Sequence, residues 1–299
     1  MEVNEHQEGQ RLDNFLLARL KGAPKSLIYR IIRKGEVRIN GGRAKPESRL
    51  KMGDKVRIPP VRLTETEATP APGDKLRSLL QASILFEDEH LIVLNKPSGL
   101  AVHAGTGAAL GLIEAMRSMY PELEALELVH RLDKGTSGCL MLAKTGKARK
   151  GAMEAFRQHA VGKVYHVLVS GHWPASLKLV NKALRRQPER NGERKVTADS
   201  SGKASETRFR ILQTFPGATL LEARPLTGRT HQIRVHAAES GHPVLGDDKY
   251  ATAKHKGINR LCLHAASLNM VHPVTGKPLQ ASAEYDASLN GILRMLAGD

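Results

Sequence analysis

The sequence predicts an α+β protein with a mixed, mainly antiparallel sheet. Short apolar runs separated by tight turns are typical of antiparallel strand pairs. Residues 84–86 and 91–94 form one such pair around an acidic turn, and residues 205–212 and 218–223 form another around Phe215-Pro216-Gly217. Amphipathic helical segments lie between the strand pairs, for example over residues 148–159.

Two domains are expected, because the composition changes near residue 63. Residues 63–83 are rich in Thr, Pro, Gly and charged side chains and show no regular period, which predicts a linker. We therefore expect a small domain over residues 1–62 and a larger domain over residues 84–299.

Charge indicates a polyanionic partner. The 299 residues carry a formal net charge of +16 with a pI near 10, which favours nucleic acid or an anionic membrane. No apolar run approaches the ~20 residues that cross a bilayer, and the first residues do not resemble a signal peptide. Cys139 and Cys262 lie far apart in apolar runs, which predicts buried thiols of a cytoplasmic protein. Nucleic acid is therefore the expected partner, without a membrane.

The basic charge is concentrated near the amino terminus. Residues 11–60 contain 14 Lys and Arg against 4 Asp and Glu. Two helices are predicted here, the first closed by Gly22 and the second opened by Pro24, followed by strands over 37–40 and 56–58. Such a face is either a solvated surface or a contact for RNA phosphates.

The segment 127–144, ELVHRLDKGTSGCLMLAK, places charged residues between two strand-like runs. Leu128-Val129 precede the polar turn and Cys139–Ala143 follow it. Within the turn, Asp133 either bonds local backbone and pairs with Arg131, or belongs to a rigidly held chemical site.

Two later segments repeat this mixture of strand or helix and polar residues. Tyr165 lies in a predicted strand over residues 163–169, where a tyrosine is ordinarily a core residue. In the segment 226–236, Gly228 predicts a turn and Thr230 the N-cap of a helix. His231 and His236 are five residues apart rather than four, so a metal site is not expected.

Together these segments resemble the three motifs of the RluA-type pseudouridine synthases. His130-Arg131-Leu132-Asp133 with Thr136-Ser137-Gly138, the Lys-x-Tyr of 163–165 and Leu-Thr-Gly-Arg-Thr-His-Gln-Ile-Arg over 226–234 occur in the family's order. The first sixty residues resemble an S4-type RNA-binding domain. The resemblance implies a catalytic domain with a central cleft, which isomerises uridines of large-subunit ribosomal RNA, free or in an assembly intermediate. A monomer without cofactor is expected.

The resemblance also implies a role for each residue. Asp133 is the nucleophile, Arg229 pairs with it and keeps it aimed, and Tyr165 packs on the uracil. Arg131 fills the space left by the flipped base, whereas His130 and Thr136 fix the loop. Leu226 and Ile233 wall the pocket. The residues expected to contact RNA through the first domain are Lys25, Arg30, Arg33, Lys34, Arg38 and Arg43.

Several alternatives remain open at this point. The same chemistry could act on other large-subunit uridines or on tRNA, or the chain could be a non-catalytic RNA-binding assembly factor. A hydrolase using Ser137, His130 and Asp133 lacks a Gly-x-Ser-x-Gly elbow and leaves the basic domain unexplained. The basic segment 185–195 is either a solvated hairpin tip or a contact for an RNA backbone.

Overall fold

The chain forms two compact units, Met1–Pro70 and Ala71–Asp299, in a computed structural model. The structure describes residues 1–4, 7–20, 23, 25–61, 71–104, 110–187, 195–251, 253 and 255–298. Among the helices of these residues, none has the length and apolar character that a bilayer crossing requires.

The first unit packs two helices against a small sheet. Helix α1 spans Leu12–Arg19 and α2 spans Lys25–Arg33, and the strands β1 (Arg38–Ile39), β2 (Gly42–Arg43) and β3 (Val56–Arg57) follow in the order β2-β1-β3. Gly22 and Pro24, expected at the helix ends, lie outside the described residues. The core of this unit includes Leu12, Phe15, Ile28 and Ile31.

The second unit contains five helices and twelve strands among its described residues. The helices are α3 (Asp74–Ala82), α4 (Leu112–Met119), α5 (Gly146–Arg157), α6 (Gln232–Glu239) and α7 (Ala287–Ala297). The strands are β4 (Ile84–Glu87), β5 (Leu91–Lys96), β6 (Glu127–Leu128), β7 (Ser137–Ala143), β8 (Gly162–Ser170), β9 (Leu179–Asn181), β10 (Leu184–Arg186), β11 (Val196–Ala198), β12 (Glu206–Phe215), β13 (Ala218–Pro225), β14 (Leu263–Val271) and β15 (Pro278–Ser282).

The large sheet confirms the predicted fold class. Its strands follow the order β4-β5-β7-β14-β8-β13-β12-β9, with β6 beside β7 and β15 beside β14. Every pair is antiparallel except β7 and β14, which run parallel where Ser137 and Gly138 face His264 and Ala265. The sheet is therefore mixed and mainly antiparallel. Strands β10 and β11 form a separate two-stranded hairpin.

Two apolar cores flank the centre of this sheet. One lies around β5, β7, α4 and α5, and the other around β8, β13 and α6. Tyr165 on β8 packs against both cores. Between these two cores, the strands can present polar side chains to a common cleft.

Helix α3 occupies part of the predicted linker. Leu76 and Leu80 are four residues apart and so lie on one face of a helix; Leu80 is fully buried and Leu76 packs against the same core. Burial of this apolar pair outweighs the polar composition that predicted a linker over 63–83. Residues 62–70 lie outside the described part of the chain.

Candidate active site

The loop between β6 and β7 carries Asp133 and is fixed at several points. The N–H of Thr136 donates to the carbonyl of Asp133 at 3.1 Å, which closes a tight turn. His130 Nε2 accepts the N–H of Met141 at 3.0 Å, and its ring stacks on Phe156. Burial lowers the pKa of His130 to about 4, so the imidazole stays neutral and keeps its acceptor nitrogen near pH 7. The loop is therefore held to the sheet by an uncharged histidine.

A buried lysine also holds the Asp133 loop in place. Lys96 at the end of β5 is fully buried, and its Nζ donates to the carbonyls of Pro97, Leu100 and Lys134 at 2.9, 2.8 and 3.2 Å. Burial lowers the pKa of Lys96 to about 7, although Asp133 opposes that change. Only the ammonium form has three donors for the three carbonyls.

Arg234 is the cation that faces Asp133. Its Nη1 lies 3.3 Å from Asp133 Oδ2, while Nε and Nη2 make a two-pronged pair with Asp247 at 2.7 and 2.6 Å. Burial lowers the pKa of Arg234, but Asp247 and Asp133 outweigh burial and raise it. Arg234 is thus a permanently charged, nearly buried link between two carboxylates.

The expected pair between Arg229 and Asp133 is wrong for this structure. Arg229 lies before α6 with its side chain exposed, and its Nε donates to the carbonyl of Ala204 at 3.1 Å. The helix also starts later than expected, because His231 rather than Thr230 is its N-cap residue. This start places Arg234, in the first turn, toward Asp133.

His231 is a second neighbour of Asp133. Its Nε2 lies 3.8 Å from Asp133 Oδ2, and its backbone has φ of 54°, a left-handed conformation that is uncommon for histidine. Its Nδ1 lies 2.8 Å from the Tyr250 hydroxyl, which also accepts the N–H of Val196 at 3.1 Å. When the hydroxyl donates to Nδ1, the neutral ring carries its proton on Nε2, toward Asp133. Burial lowers the pKa of His231, which favours the neutral form.

Most of the predicted site residues line one cleft of about 150 Å³. The predicted residues among its lining are Arg131, Asp133, Thr136, Tyr165, Arg229 and Ile233. Burial raises the pKa of Tyr165, so its hydroxyl stays protonated, and lowers the pKa of Lys163 beside it. The cleft thus combines one carboxylate, an aromatic ring and several donors around an apolar wall.

Leu226 and His130 do not line this cleft. Leu226 follows the last residue of β13 and is exposed, and it is not among the residues that line the cleft. His130 lies under the loop and contacts Met141 and Phe156 instead. The expected wall of the pocket is therefore formed by Ile233, together with Leu132 and Leu263.

The hydrolase alternative finds no support in the geometry. Ser137 Oγ lies 2.9 Å from His264 Nδ1 and accepts from Arg260 Nη2 at 2.7 Å, in a buried position. His130 Nε2 instead accepts the backbone N–H of Met141. The three residues of the alternative, Ser137, His130 and Asp133, therefore do not form a triad.

The cations expected to contact RNA lie on one part of the first unit. Arg30, Arg33 and Lys34 are exposed at the end of α2, and Arg38 and Arg43 are exposed on β1 and β2. Arg38 donates to the carbonyls of Gly35 and Gly41, and the Arg43 side chain packs over Gly35. Lys25 begins α2, but its side chain lies outside the described atoms.

Sequence reasoning missed Arg234 and His231 as neighbours of Asp133. Arg234 and His231 belong to the same motif as Arg229. The only signal that could have distinguished them was the residue at which the helix begins. A helix starting at Gln232 places Arg234 in its first turn, whereas Arg229 remains outside it.

Comparison with known proteins gives a family for both units. The model described as RNA pseudouridylate synthase matches residues 90–239, and the S4 domain model matches residues 10–56. "Ribosomal large subunit pseudouridine synthase C" of Haemophilus influenzae is 49% identical, with 98% of this chain and 94% of that protein aligned. The protein of that name from Escherichia coli K12 is 46% identical over 98% of this chain and 95% of its own length.

Solved structures give the same result. Human RNA pseudouridylate synthase domain containing 4 superposes with a TM-score of 0.63 at 26% identity, covering 75% of this chain and 97% of its own. Human RNA pseudouridylate synthase domain containing 1 has a TM-score of 0.58 at 25% identity, covering 73% and 95%.

Proposed function

Because the chain belongs to the RNA pseudouridylate synthase family and carries an S4 domain, we propose that it isomerises uridines of 23S large-subunit ribosomal RNA to pseudouridine. The proposed sites are those of synthase C, the name of the relatives that match over nearly their full length. The observation that carries the proposal is the placement of Asp133 beside Arg234 in the cleft that Tyr165 also lines.

In this reaction the bond between N1 of uracil and C1′ of ribose breaks, the uracil turns, and C5 bonds to C1′. The proton on C5 is lost and N1 gains one, so no redox partner is required. Asp133 is the only carboxylate that lines the described cleft, so we assign it the attack on the sugar or the removal of a sugar proton. Both routes need an ionised carboxylate that a fixed cation orients. Arg234 is that cation in this cleft.

The remaining cleft residues bind and expose the base. A uridine must leave its stack to reach Asp133, which costs a few kcal/mol. The exposed Arg131 at the mouth fills the vacated space, and the Tyr165 ring packs on the uracil. Burial keeps the Tyr165 hydroxyl protonated, so we assign removal of the C5 proton to Asp133 or water.

Asp133→Asn tests the proposal in cells and in vitro. Large-subunit RNA from cells lacking the gene, complemented with wild type or variant, is mapped by carbodiimide modification and primer extension. Loss of a defined set of sites that only wild type restores supports the proposal. Asp248→Asn is the matched control, since Asp248 also contacts Arg234 but is 82% exposed and outside the cleft.

The same experiment separates the alternatives. If every large-subunit site remains modified without the gene, tRNA is mapped next. Unmodified tRNA sites would then identify tRNA as the substrate. If Asp133→Asn restores all sites as wild type does, the carboxylate is not central to the reaction.

A further inference from the structure

A second groove opens beside the active-site cleft. The hairpin β10–β11, residues 201–203 and residues 228–230 enclose a volume of about 480 Å³, here called the basic groove. Gly228, Arg229 and Thr230 line both the basic groove and the cleft. A chain lying in the groove therefore continues directly into the cleft that contains Asp133.

The charge of the basic groove is strongly positive. Arg185, Arg186, Lys203 and Arg229 line it and are exposed. Within the part of the chain that the structure describes, only Arg185 has a carboxylate partner, Asp199 at 3.4 Å. Three cations with no carboxylate partner among the described residues converge on one concave surface, which favours a polyanion over a neutral ligand.

Two of these guanidinium groups are held in place by neutral partners. Arg186 Nη2 donates to Thr230 Oγ1 at 2.6 Å, and Arg229 Nε donates to the Ala204 carbonyl at 3.1 Å. A guanidinium has five N–H donors, so each bond orients the group and leaves most donors for a ligand. The two-pronged geometry of arginine suits phosphate oxygens. Arg229 thus has a place in the groove, although it does not pair with Asp133.

We propose that the basic groove binds phosphodiester groups of the substrate RNA strand next to the uridine in the cleft. This inference rests on the proposed function and assigns Arg186, Lys203 and Arg229 to the flanking backbone. Phosphate contacts fix register without reading sequence. A strand anchored across residues 228–230 presents the adjacent nucleotide at the mouth of the cleft, where it is flipped.

The test removes two groove charges from the full-length protein. Arg186→Gln with Lys203→Gln is compared with Arg149→Gln with Lys277→Gln, which removes two exposed cations from α5 and from the turn after β14. The ligand is protein-free 23S transcript labelled with tritium at C5 of uridine. Filter binding gives affinity at several salt concentrations, and single-turnover tritium release gives the reaction rate.

We expect the groove variant to bind about tenfold more weakly. The slope of log affinity against log salt should fall by about 1.4, at roughly 0.7 per single-strand phosphate. With saturating enzyme, the tritium-release rate should fall by less than the affinity does, because Asp133 and Arg234 are unchanged. Arg186→Lys with Lys203→Arg, which keeps both charges, should restore the slope.

Two outcomes would overturn the inference. One is a groove variant whose affinity and salt slope equal those of the Arg149 and Lys277 control. The other is the same salt slope in wild type and groove variant with a slower saturated rate, which would make Arg186 a support of the Thr230 loop. A wild-type protein that binds the transcript but releases no tritium would refute the proposed function, while the binding measurements would still decide on the groove.

Discussion

At the scale of single residues, the cleft depends on one arginine shared by Asp133, Asp247 and Asp248. Arg234 is 5% exposed at its side chain and bridges Asp133 to the fully buried side chain of Asp247. His231 Nε2 faces the same oxygen of Asp133, and burial lowers the pKa of His231 and so favours the neutral ring. Asp133 therefore has one permanent cation and one imidazole ring beside it.

Arg234→Gln should strongly destabilise the second unit. Removing one partner of a buried ion pair leaves the other charge without compensation and costs about 3–5 kcal/mol in the free energy of unfolding. Urea unfolding of the full-length protein measures this loss. Arg157→Gln is the control, because it removes an arginine from an exposed pair with Glu154 and should leave the unfolding midpoint almost unchanged. Equal midpoints for the two variants would contradict the bridging role.

His130 predicts a loss of stability in acid. Burial lowers the pKa of His130 from 6.5 to about 4 in the folded protein, so between these values the unfolded chain binds the extra proton. Its stabilising contribution is therefore full above pH 6.5 and is lost as pH falls toward 4, by up to about 3 kcal/mol. His130→Gln keeps an acceptor for the Met141 N–H without titrating. The variant should lose less unfolding free energy than wild type between pH 7 and 4, and parallel curves would contradict the prediction.

The choice between two arginines shows what a motif can and cannot predict. The order of residues in 226–234 identified the segment that faces Asp133, but not which arginine reaches it. That choice depends on the residue at which α6 begins, and the left-handed backbone of His231 sets this start. A positive φ at histidine has no strong sequence signal, so Arg229 and Arg234 could not be separated before the structure was known.

At the scale of elements, the parallel junction of β7 and β14 holds the Asp133 loop. Gly138 lies two residues after Thr136, with φ of 106°, and a Cβ there would meet the carbonyl oxygen of Ala265 at 2.2 Å. The strand pairing was predictable only in part. The antiparallel pairs follow from short turns, whereas β7 and β14 are more than a hundred residues apart in sequence, and local patterns carry no information about such a pairing.

Gly138→Ala should therefore separate β7 from β14. The added methyl group meets backbone atoms that cannot move without breaking the pairing, and the positive φ adds strain of about 1 kcal/mol or more. We expect a large loss of unfolding free energy together with slower pseudouridine formation. Gly291→Ala is the matched control, since Gly291 lies within α7 with open space around its Cβ position and should gain about 0.5–1 kcal/mol. A Gly138→Ala protein as stable as the Gly291→Ala protein would contradict the close approach.

At the scale of the whole molecule, the chemistry is assigned to the second unit, whereas both units contribute cations to RNA binding. The first unit has its own core and exposed cations on α2 and β2, whereas Asp133 and its neighbours belong to the second unit. The fold class and the order of the two units were predictable because each unit has its own composition and motifs. The boundary was not, since the burial of Leu80 in α3 depends on a core that the local composition does not reveal.

This separation predicts the effect of removing charge from the first unit alone. Arg30, Arg33 and Arg43 are exposed and have no carboxylate partner among the described residues, so replacing all three with Gln should weaken RNA binding without altering the cleft. The slope of log affinity against log salt should fall by about 2–3, at roughly 0.7–0.9 per phosphate contact. The control replaces Lys75, Arg77 and Lys150, exposed cations of the second unit, with Gln. At saturating RNA, both proteins should form pseudouridine at the wild-type rate, because Asp133 and Arg234 are untouched.

A triple variant of the first unit with the control's salt slope would mean that this face does not contact RNA. A slower saturated rate would mean instead that the first unit contributes to the reaction itself.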